Sequence, residues 1–379
     1  MRLLDQMVSF GWWSPVKWLG CGREVTVSPG WNAGALRVAA LLVGLLVAGP
    51  GIVESQEPIS PSLDPGMDRV QFRESRAEQV RTIHGVVIDL QAKHLELKLP
   101  TGGTRRIARA EIVSVQLLNH VPLAKSNQAA AAGKFDEARR GFEEVARGNV
   151  PHWMKRYAAG RRIQCLRCLQ QYRVAISDFV NLVNDDPNQI PYEVAPLVWS
   201  SPVVDALLEE QIKAWLESSN EWEQWMGASL GLLHPPTSAA SQKVFEAVAA
   251  TGNSPTEFGP REAIAIAQLW RLPQPRSREQ LKIMQAQLEA FPPEVKAGPL
   301  LVVGKHWKGA GEPKLAADAF LQLASLYPEQ HDLVLLGLEA AYYTLRELDR
   351  EDAVRVGEWL VARHPDAMQT DEIRKELGL

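Results

Sequence analysis

Two short motifs in this 379-residue sequence contain residue types that could do chemistry. Residues 227–231 read GASLG, which fits the G-x-S-x-G pattern of a hydrolase nucleophile, and His234 follows closely. That chemistry requires a strand before the serine and a helix after it, so that the hydroxyl is exposed at a sharp turn. The neighbouring apolar residues lie at helical spacing instead. The pattern therefore favours a helix in which Ser229 and the glycines ease close packing.

The second motif is CLRC at 165–168. A zinc site would require a second pair of ligands at suitable spacing, and the sequence offers none. A thioredoxin-like site would require a βαβ context, whereas the flanking pattern predicts a helix. A disulfide between Cys165 and Cys168 within one helix would be strained. We therefore expect both to be buried small residues, and a redox role stays open if the protein is exported.

The rest of the sequence contains no further catalytic or ligand motif. The eight histidines are scattered without an HExxH pattern, and there is no P-loop and no G-x-G-x-x-G. Acidic residues alternate with basic ones, which is typical of solvated helix faces. The formal net charge of −4 argues against a nucleic-acid-binding protein. We predict no catalytic residue, no metal and no cofactor.

The N-terminal region resembles an export signal. Residues 36–48 read LRVAALLVGLLVA, an apolar run shorter than the ~20 residues of a membrane span. It matches the ~7–15-residue apolar core of a secretory signal. We therefore predict a signal sequence or N-terminal anchor over residues 1–53, and a periplasmic or otherwise exported protein.

Two alternatives to a cleaved signal stay open. In the first, residues 36–53 remain as a short anchor in the inner membrane, which is the one membrane contact that we consider. In the second, residues 36–48 are a buried helix of a cytosolic domain. Because residues 1–37 precede the apolar core, translation could begin later, at Val25 or Val27.

A small β module is predicted after a Pro-, Gly- and Ser-rich linker at residues 54–67. Residues 68–118 contain four or five short segments that are β-branched or alternate between apolar and polar residues, and PTGGT supplies a turn. This pattern predicts a curled, SH3-like sheet. It resembles small β modules at the start of exported bacterial proteins, which implies either a docking surface or a cap for the next domain.

From residue 122 to residue 379 the patterns predict helices in pairs. The second helix of each pair repeats one spacing of small and bulky residues. The pattern of Ala138 and Phe142 recurs 37 residues later as Ala175 and Phe179. Near the C-terminus, Ala316 recurs 37 residues later as Ala353. The middle, 190–292, is less regular, so the total number of hairpins that we predict is five to seven.

These repeats resemble the tetratricopeptide repeat (TPR), a helix–turn–helix unit of about 34 residues with an A-x3-F step and a closing proline. The match is clearest in GKHWKGAGEPKLAADAFLQLASLYP at 304–328, which has Ala316 and Phe320 at the step and ends at Pro328. The alternative is a chance match in an alanine-rich helical protein. The resemblance implies a mainly α protein, an α-solenoid of TPR-like hairpins, because a single hairpin cannot bury its own apolar face.

The resemblance also implies that a protein or peptide partner binds the concave side, which is formed by the first helices. The implied contact residues are Asn127, Arg161, Arg162, Lys305 and Lys308. Eight tryptophans follow residue 150, and they could line such a groove or fill the interfaces between hairpins. We predict a non-catalytic interaction or scaffold protein of the bacterial cell envelope. The alternatives are an exported enzyme, acting through GASLG or CLRC, and a structural envelope component that self-associates.

Overall fold

A computed structural model describes residues 67–73, 80–91, 94–251, 258–365 and 367–379. The predicted signal, anchor and linker, with their proposed starts at Val25 or Val27, therefore lie outside the described residues, apart from Met67. The described part belongs to one compact unit, Pro65–Leu379, and it is mainly helical with a small antiparallel β-sheet at its N-terminal end.

Five strands occupy the positions where the sequence alternates. They are β1 (Asp68–Arg73), β2 (Val80–Leu90), β3 (His94–Lys98), β4 (Thr104–Ala108) and β5 (Ile112–Gln116). The sheet has the order β4-β3-β2-β1-β5, and each neighbouring pair is antiparallel. The first half of β2 pairs with β1 and its second half with β3. Gly102 and Gly103 both have positive φ in the turn between β3 and β4, a conformation that favours glycine.

The buried carboxylate of Asp68 joins the sheet to the helical part. Its Oδ2 accepts a hydrogen bond from Val87 N at 2.8 Å, and its Oδ1 accepts one from Asn119 N at 2.8 Å. Asp68 is fully buried, so these two N–H groups replace the water that its charge would otherwise require. The sheet and the first helices also share one apolar core, which includes Val70, Phe72, Leu95, Leu97, Leu123, Phe142 and Trp153.

Fourteen α-helices follow within the described residues. They are α1 (Val121–Ala131), α2 (Phe135–Arg147), α3 (His152–Cys168), α4 (Tyr172–Asp185), α5 (Ala206–Leu216), α6 (Glu221–Gly231), α7 (Pro235–Ala249), α8 (Pro260–Trp270), α9 (Arg278–Ala290), α10 (Ala297–Gly309), α11 (Pro313–Leu326), α12 (His331–Arg346), α13 (Arg350–Arg363) and α14 (Met368–Leu377).

Most helices pack against the next helix along the chain, and the spacing of small and bulky residues explains this packing. The repeated alanines let neighbouring backbones approach, while the aromatic four residues later lies on the same face and fills the space beside them. All members of the three A-x3-F steps are fully buried: Ala138, Phe142, Ala175, Phe179, Ala316 and Phe320. The burial that the repeat spacing predicts is therefore confirmed.

The beginning and the end of the helical part are in contact. The ring of Phe135, at the start of α2, lies 5.8 Å from that of His331 and 6.3 Å from that of His364, measured between centroids. An ion pair of 2.7 Å joins Arg161 of α3 to Glu329, the second residue before α12. Helix α3 therefore faces α12 across the interior of the helical part.

Candidate functional site

An extended segment of the chain lies buried among these helices. Residues 193–200, here called the inner segment, belong to the connection between α4 and α5, which contains no regular structure beyond a 3-10 turn at Tyr192–Val194. Its apolar side chains are between 2% and 6% exposed: Val194, Ala195, Leu197, Val198 and Trp199. A connection of this length without secondary structure is uncommon unless it has a role of its own.

Side chains of α3, α6 and α8, and of the residue directly before α12, bind main-chain groups of the inner segment. The carbonyl of Glu193 accepts hydrogen bonds from Gln330 Nε2 at 2.7 Å and Arg167 Nη1 at 3.4 Å. Further along, Val198 N donates to Ser229 Oγ at 2.8 Å, and the carbonyl of Val198 accepts from Gln268 Nε2 at 3.3 Å. Both ends of the segment's buried stretch are thus held by side chains from helices that are distant in sequence.

Two cations bind the last carbonyls of the segment. The carbonyl of Trp199 accepts a hydrogen bond from Lys305 Nζ of α10 at 3.3 Å, and that of Ser200 accepts one from Arg271 Nη2 at 3.1 Å. The side chains lie on α3, α6, α8 and α10, directly after α8 or directly before α12, and they bind main-chain groups, which every peptide carries. We call these six side chains the inner surface: Arg167, Ser229, Gln268, Arg271, Lys305 and Gln330.

A glycine makes room for the largest side chain of the segment. The Trp199 indole lies so close to Gly298 of α10 that any β-carbon at this position would overlap its ring. The side chain of Val194 lies against Gly160 of α3. Beside the segment remains a cavity of about 20 Å³, lined in part by Leu197 and Leu333, which is room for about one water molecule. The segment therefore fills the space between the helices.

The cations of the inner surface differ in their electrostatic environment. Arg167 is neutralised by Asp332, whose Oδ2 lies 2.7 Å from Nη2. Arg271 donates to the carbonyls of Ser229 and Ser200 and to the side chain of Gln268, and burial lowers its pKa to about 9. Desolvation and the neighbouring Arg271 lower the pKa of Lys305 to about 8. In the part of the chain that the structure describes, neither Arg271 nor Lys305 forms an ion pair.

In three of the five predicted contact residues, the charged or amide group binds another residue of this chain. Asn127 Oδ1 accepts a hydrogen bond from Tyr157 Oη at 3.2 Å. Arg161 is 9% exposed; burial lowers its pKa, but Glu329, Tyr157 and Cys165 together outweigh this effect, so the net shift is upward. Arg162 forms an ion pair with Asp178 at 2.5 Å.

The other two predicted contact residues lie on α10. Lys305 and Lys308 are both exposed to solvent, but Lys305 belongs to the inner surface because its Nζ reaches the inner segment. The structure thus brings only Lys305 of the five into contact with the inner segment.

The GASLG motif does not form a nucleophile elbow. Residues 227–231 are the last five of α6, the element directly before that helix is α5 and not a strand, and Ser229 is fully buried. The Ser229 hydroxyl accepts a hydrogen bond from Val198 N, so it holds the main chain of the inner segment. His234 Nε2 lies 3.0 Å from Glu209 Oε2 instead. The interpretation of Ser229 as a packing residue in a helix is therefore confirmed.

The two cysteines of CLRC lie at the C-terminal end of α3 as free thiols. Burial raises the pKa of Cys165 to about 11 and raises the pKa of Cys168 well above its usual value. A thiol of raised pKa has little thiolate near neutral pH, and the thiolate is both the nucleophile and the metal ligand. Nowhere in the described ranges do three His, Cys, Asp or Glu side chains cluster closely enough to bind a metal ion.

The tryptophans act mainly as core residues. Of the eight beyond residue 150, seven are at most 9% exposed, and Trp359 is half-buried. Trp222 and Trp225 pack against each other, with ring centroids 5.7 Å apart, and Phe179 of α4 contacts Trp222. Of the two interpretations of these residues, filling of the interfaces between helices is confirmed.

Sequence reasoning missed the inner segment. The stretch PYEVAPLVWSSP at 191–202 falls in the middle region that fitted the repeat pattern least well. The sequence does contain a signal for buried extended chain here. The prolines exclude a helix, and six consecutive residues from Val194 to Trp199 are apolar. Short apolar runs bounded by prolines are consistent with buried extended chain.

No family model, no curated protein and no solved structure matches this chain. Among the helices of the described residues, none is both long and apolar enough to cross a bilayer.

Proposed function

We propose that this chain is a non-catalytic scaffold of the bacterial cell envelope, which binds an extended segment of a protein partner along the first helices of TPR-like hairpins. The observation that carries the proposal is the inner segment itself. Side chains from α3, α6, α8 and α10, and from the residues directly after α8 and directly before α12, hold an extended stretch through its main-chain groups. Main-chain hydrogen bonds provide affinity for any extended peptide, and pockets for its side chains provide specificity.

The finer features of the fold belong to the same proposal. Each hairpin of a TPR-like stack presents its first helix to the inside, and α3 and α10, which bind the inner segment, each pack against the helix that follows, α4 and α11. The buried A-x3-F steps and their 37-residue spacing support a solenoid. The five-stranded sheet, with its long shared strand β2, supports an SH3-like module that covers the first hairpin.

A site-specific cross-linking experiment tests the interaction. A photoreactive amino acid is placed at Lys308, next to the inner surface, and in a control chain at Leu326, which is 62% exposed on the second helix α11. We expect a discrete adduct with one envelope protein from position 308 and none from 326. Charge reversal by K305E should weaken the binding of that purified partner at least tenfold. Equal adducts from both positions, or none from 308, would contradict the proposal.

The envelope location has its own test, since the apolar run at 36–48 lies outside the described residues. We expect N-terminal sequencing of the protein from its native host to begin between residues 48 and 55. A protein with an intact Met1 in the cytosolic fraction would contradict export.

A further inference from the structure

The inner segment is held in two ways that also describe a bound peptide. Its main-chain groups are bound by six side chains that lie on, or directly beside, five separate helices. Two of its side chains lie against glycines: Trp199 occupies space that a β-carbon at Gly298 would fill, and Val194 is in van der Waals range of Gly160. This is how a receptor would recognise an extended peptide: the main chain by hydrogen bonds, and selected side chains by steric fit.

The chain is exposed to solvent both before and after the inner segment. Before it, the chain leaves α4 through the exposed residues Pro187 and Asn188. After it, the chain emerges at Ser201, and Val203 is 87% exposed. The buried stretch is therefore flanked on both sides by solvent-exposed chain.

We propose that residues 193–200 are an internal ligand that occupies the place of a partner's extended segment. The partner would carry a branched aliphatic residue five positions before a tryptophan, as Val194 and Trp199 are spaced, and it would bind by exchange with the inner segment. This inference rests on the proposed scaffold function and specifies its partner. Because an internal ligand competes at the high effective concentration of a tethered group, a partner that lacks either anchor would be excluded.

Cleavage of the full chain on both sides of the segment tests the exchange. Protease recognition sites are inserted after Asn188 and after Val203, and a chain with the first site alone is the control. After cleavage, a fluorescently labelled synthetic peptide of residues 189–203 is added, and its binding is followed by anisotropy and gel filtration. We expect the doubly cut protein to keep its helical circular dichroism and to take up the labelled peptide. Peptides with V194A or W199A should bind at least tenfold more weakly.

A second measurement avoids cleavage. In the uncut chain with W199A, the internal ligand is weakened, so the labelled wild-type peptide should bind at least tenfold more tightly than it binds to the unchanged chain. The inference is wrong if the folded W199A chain binds the peptide no better than the unchanged chain does. It is also wrong if the doubly cut protein unfolds while the singly cut one does not, because the segment is then an ordinary part of the core.

The two proposals fail separately. If the peptide does not exchange but position 308 still cross-links to an envelope protein, the scaffold function stands and the partner binds without displacing the segment. If the peptide exchanges but no partner is found, the inner surface is a peptide-binding site and the envelope role is wrong.

Discussion

Arg167 and Asp332 form a buried ion pair that joins α3 to α12, helices separated by most of the helical part of the chain. Nη2 and Nε of Arg167 lie 2.7 and 3.1 Å from the same Asp332 oxygen, and the Arg167 side chain is 2% exposed. Arg167 also reaches Glu193 O at 3.4 Å. One guanidinium therefore links the first helices, the last helices and the inner segment.

Removing the carboxylate should destabilise the protein strongly. The variant Asp332→Ala leaves Arg167 buried without a counter-ion, which costs about 3–5 kcal/mol of unfolding free energy. The matched control is Asp371→Ala, because Asp371 is also an acidic residue in the first turn of a helix and pairs with Arg374, but is 62% exposed. Its loss should cost at most about 1 kcal/mol. Urea unfolding measures both, and equal effects would show that Arg167 does not depend on Asp332.

Local patterns predicted the elements because they depend on neighbouring residues only. The alternation of HLELKL at 94–99 became β3, and the A-x3-F steps became the buried faces of α2, α4 and α11. The positions of proline and glycine indicate in the same way where elements begin and end. Pro235, for example, is the first residue of α7, where a missing N–H costs nothing.

The inner surface could not be predicted in this way, because its contacts join residues that are far apart in the sequence. Gln330 binds a carbonyl 137 residues earlier, and Arg161 pairs with a carboxylate 168 residues later. Helical spacing correctly placed Arg161 on a first helix, but it contains no information about Glu329. Without that partner, a buried structural arginine and a free contact residue look alike.

Replacing two glycines of α10 by alanine should change the stability of the protein in opposite directions. In Gly298→Ala the new methyl group overlaps the Trp199 ring, so we expect a loss of about 1–3 kcal/mol through overpacking. In Gly309→Ala nothing lies within 4 Å of the added carbon, and the better helix former should stabilise by up to about 1 kcal/mol. Thermal unfolding of both variants checks the position of the inner segment against α10. A neutral Gly298→Ala would mean that Trp199 does not pack there.

Stability should fall in mild acid because two buried histidines have no hydrogen-bond partner in the described part of the chain. Burial lowers the pKa of His364 to about 4, with Arg363 adding to the effect, from an ordinary value of 6.5. Burial, followed by Arg161, Arg363 and His364, lowers the pKa of His331 as well. Because the folded state favours neutral rings, their stabilisation is complete above pH 6.5 and is lost as the pH falls towards 4. For His364 alone the loss is about 3 kcal/mol.

Variants test this pH dependence. In His364→Phe the ring remains for stacking on Phe135, but it cannot be protonated, so the slope of unfolding free energy between pH 6.5 and 4.5 should become shallower. The control is His152→Phe, since that side chain is 66% exposed, and it should leave the slope unchanged. Identical slopes in all three proteins would show that His364 is not the group responsible.

The cysteines should be unreactive in the folded protein. Burial raises the pKa of both Cys165 and Cys168, so little thiolate is present at pH 8 to attack iodoacetamide. In a chain with Cys21→Ser, we expect no alkylation within an hour of native incubation and two alkylated thiols after unfolding in guanidinium. Mass spectrometry counts them. Rapid native alkylation of either cysteine would reopen the thiol oxidoreductase alternative.

Ser229 should affect stability and not catalysis. In Ser229→Ala the buried N–H of Val198 loses its acceptor, which costs about 1–3 kcal/mol. Ser325→Ala is the control, because Ser325 is exposed on α11 and binds only the Leu321 carbonyl of its own helix, so its removal should change stability by less than about 0.5 kcal/mol. Hydrolysis of p-nitrophenyl acetate should be the same in the unchanged protein and in both variants. A loss of hydrolysis confined to Ser229→Ala would mean that the hydroxyl leaves Val198 and acts as a nucleophile.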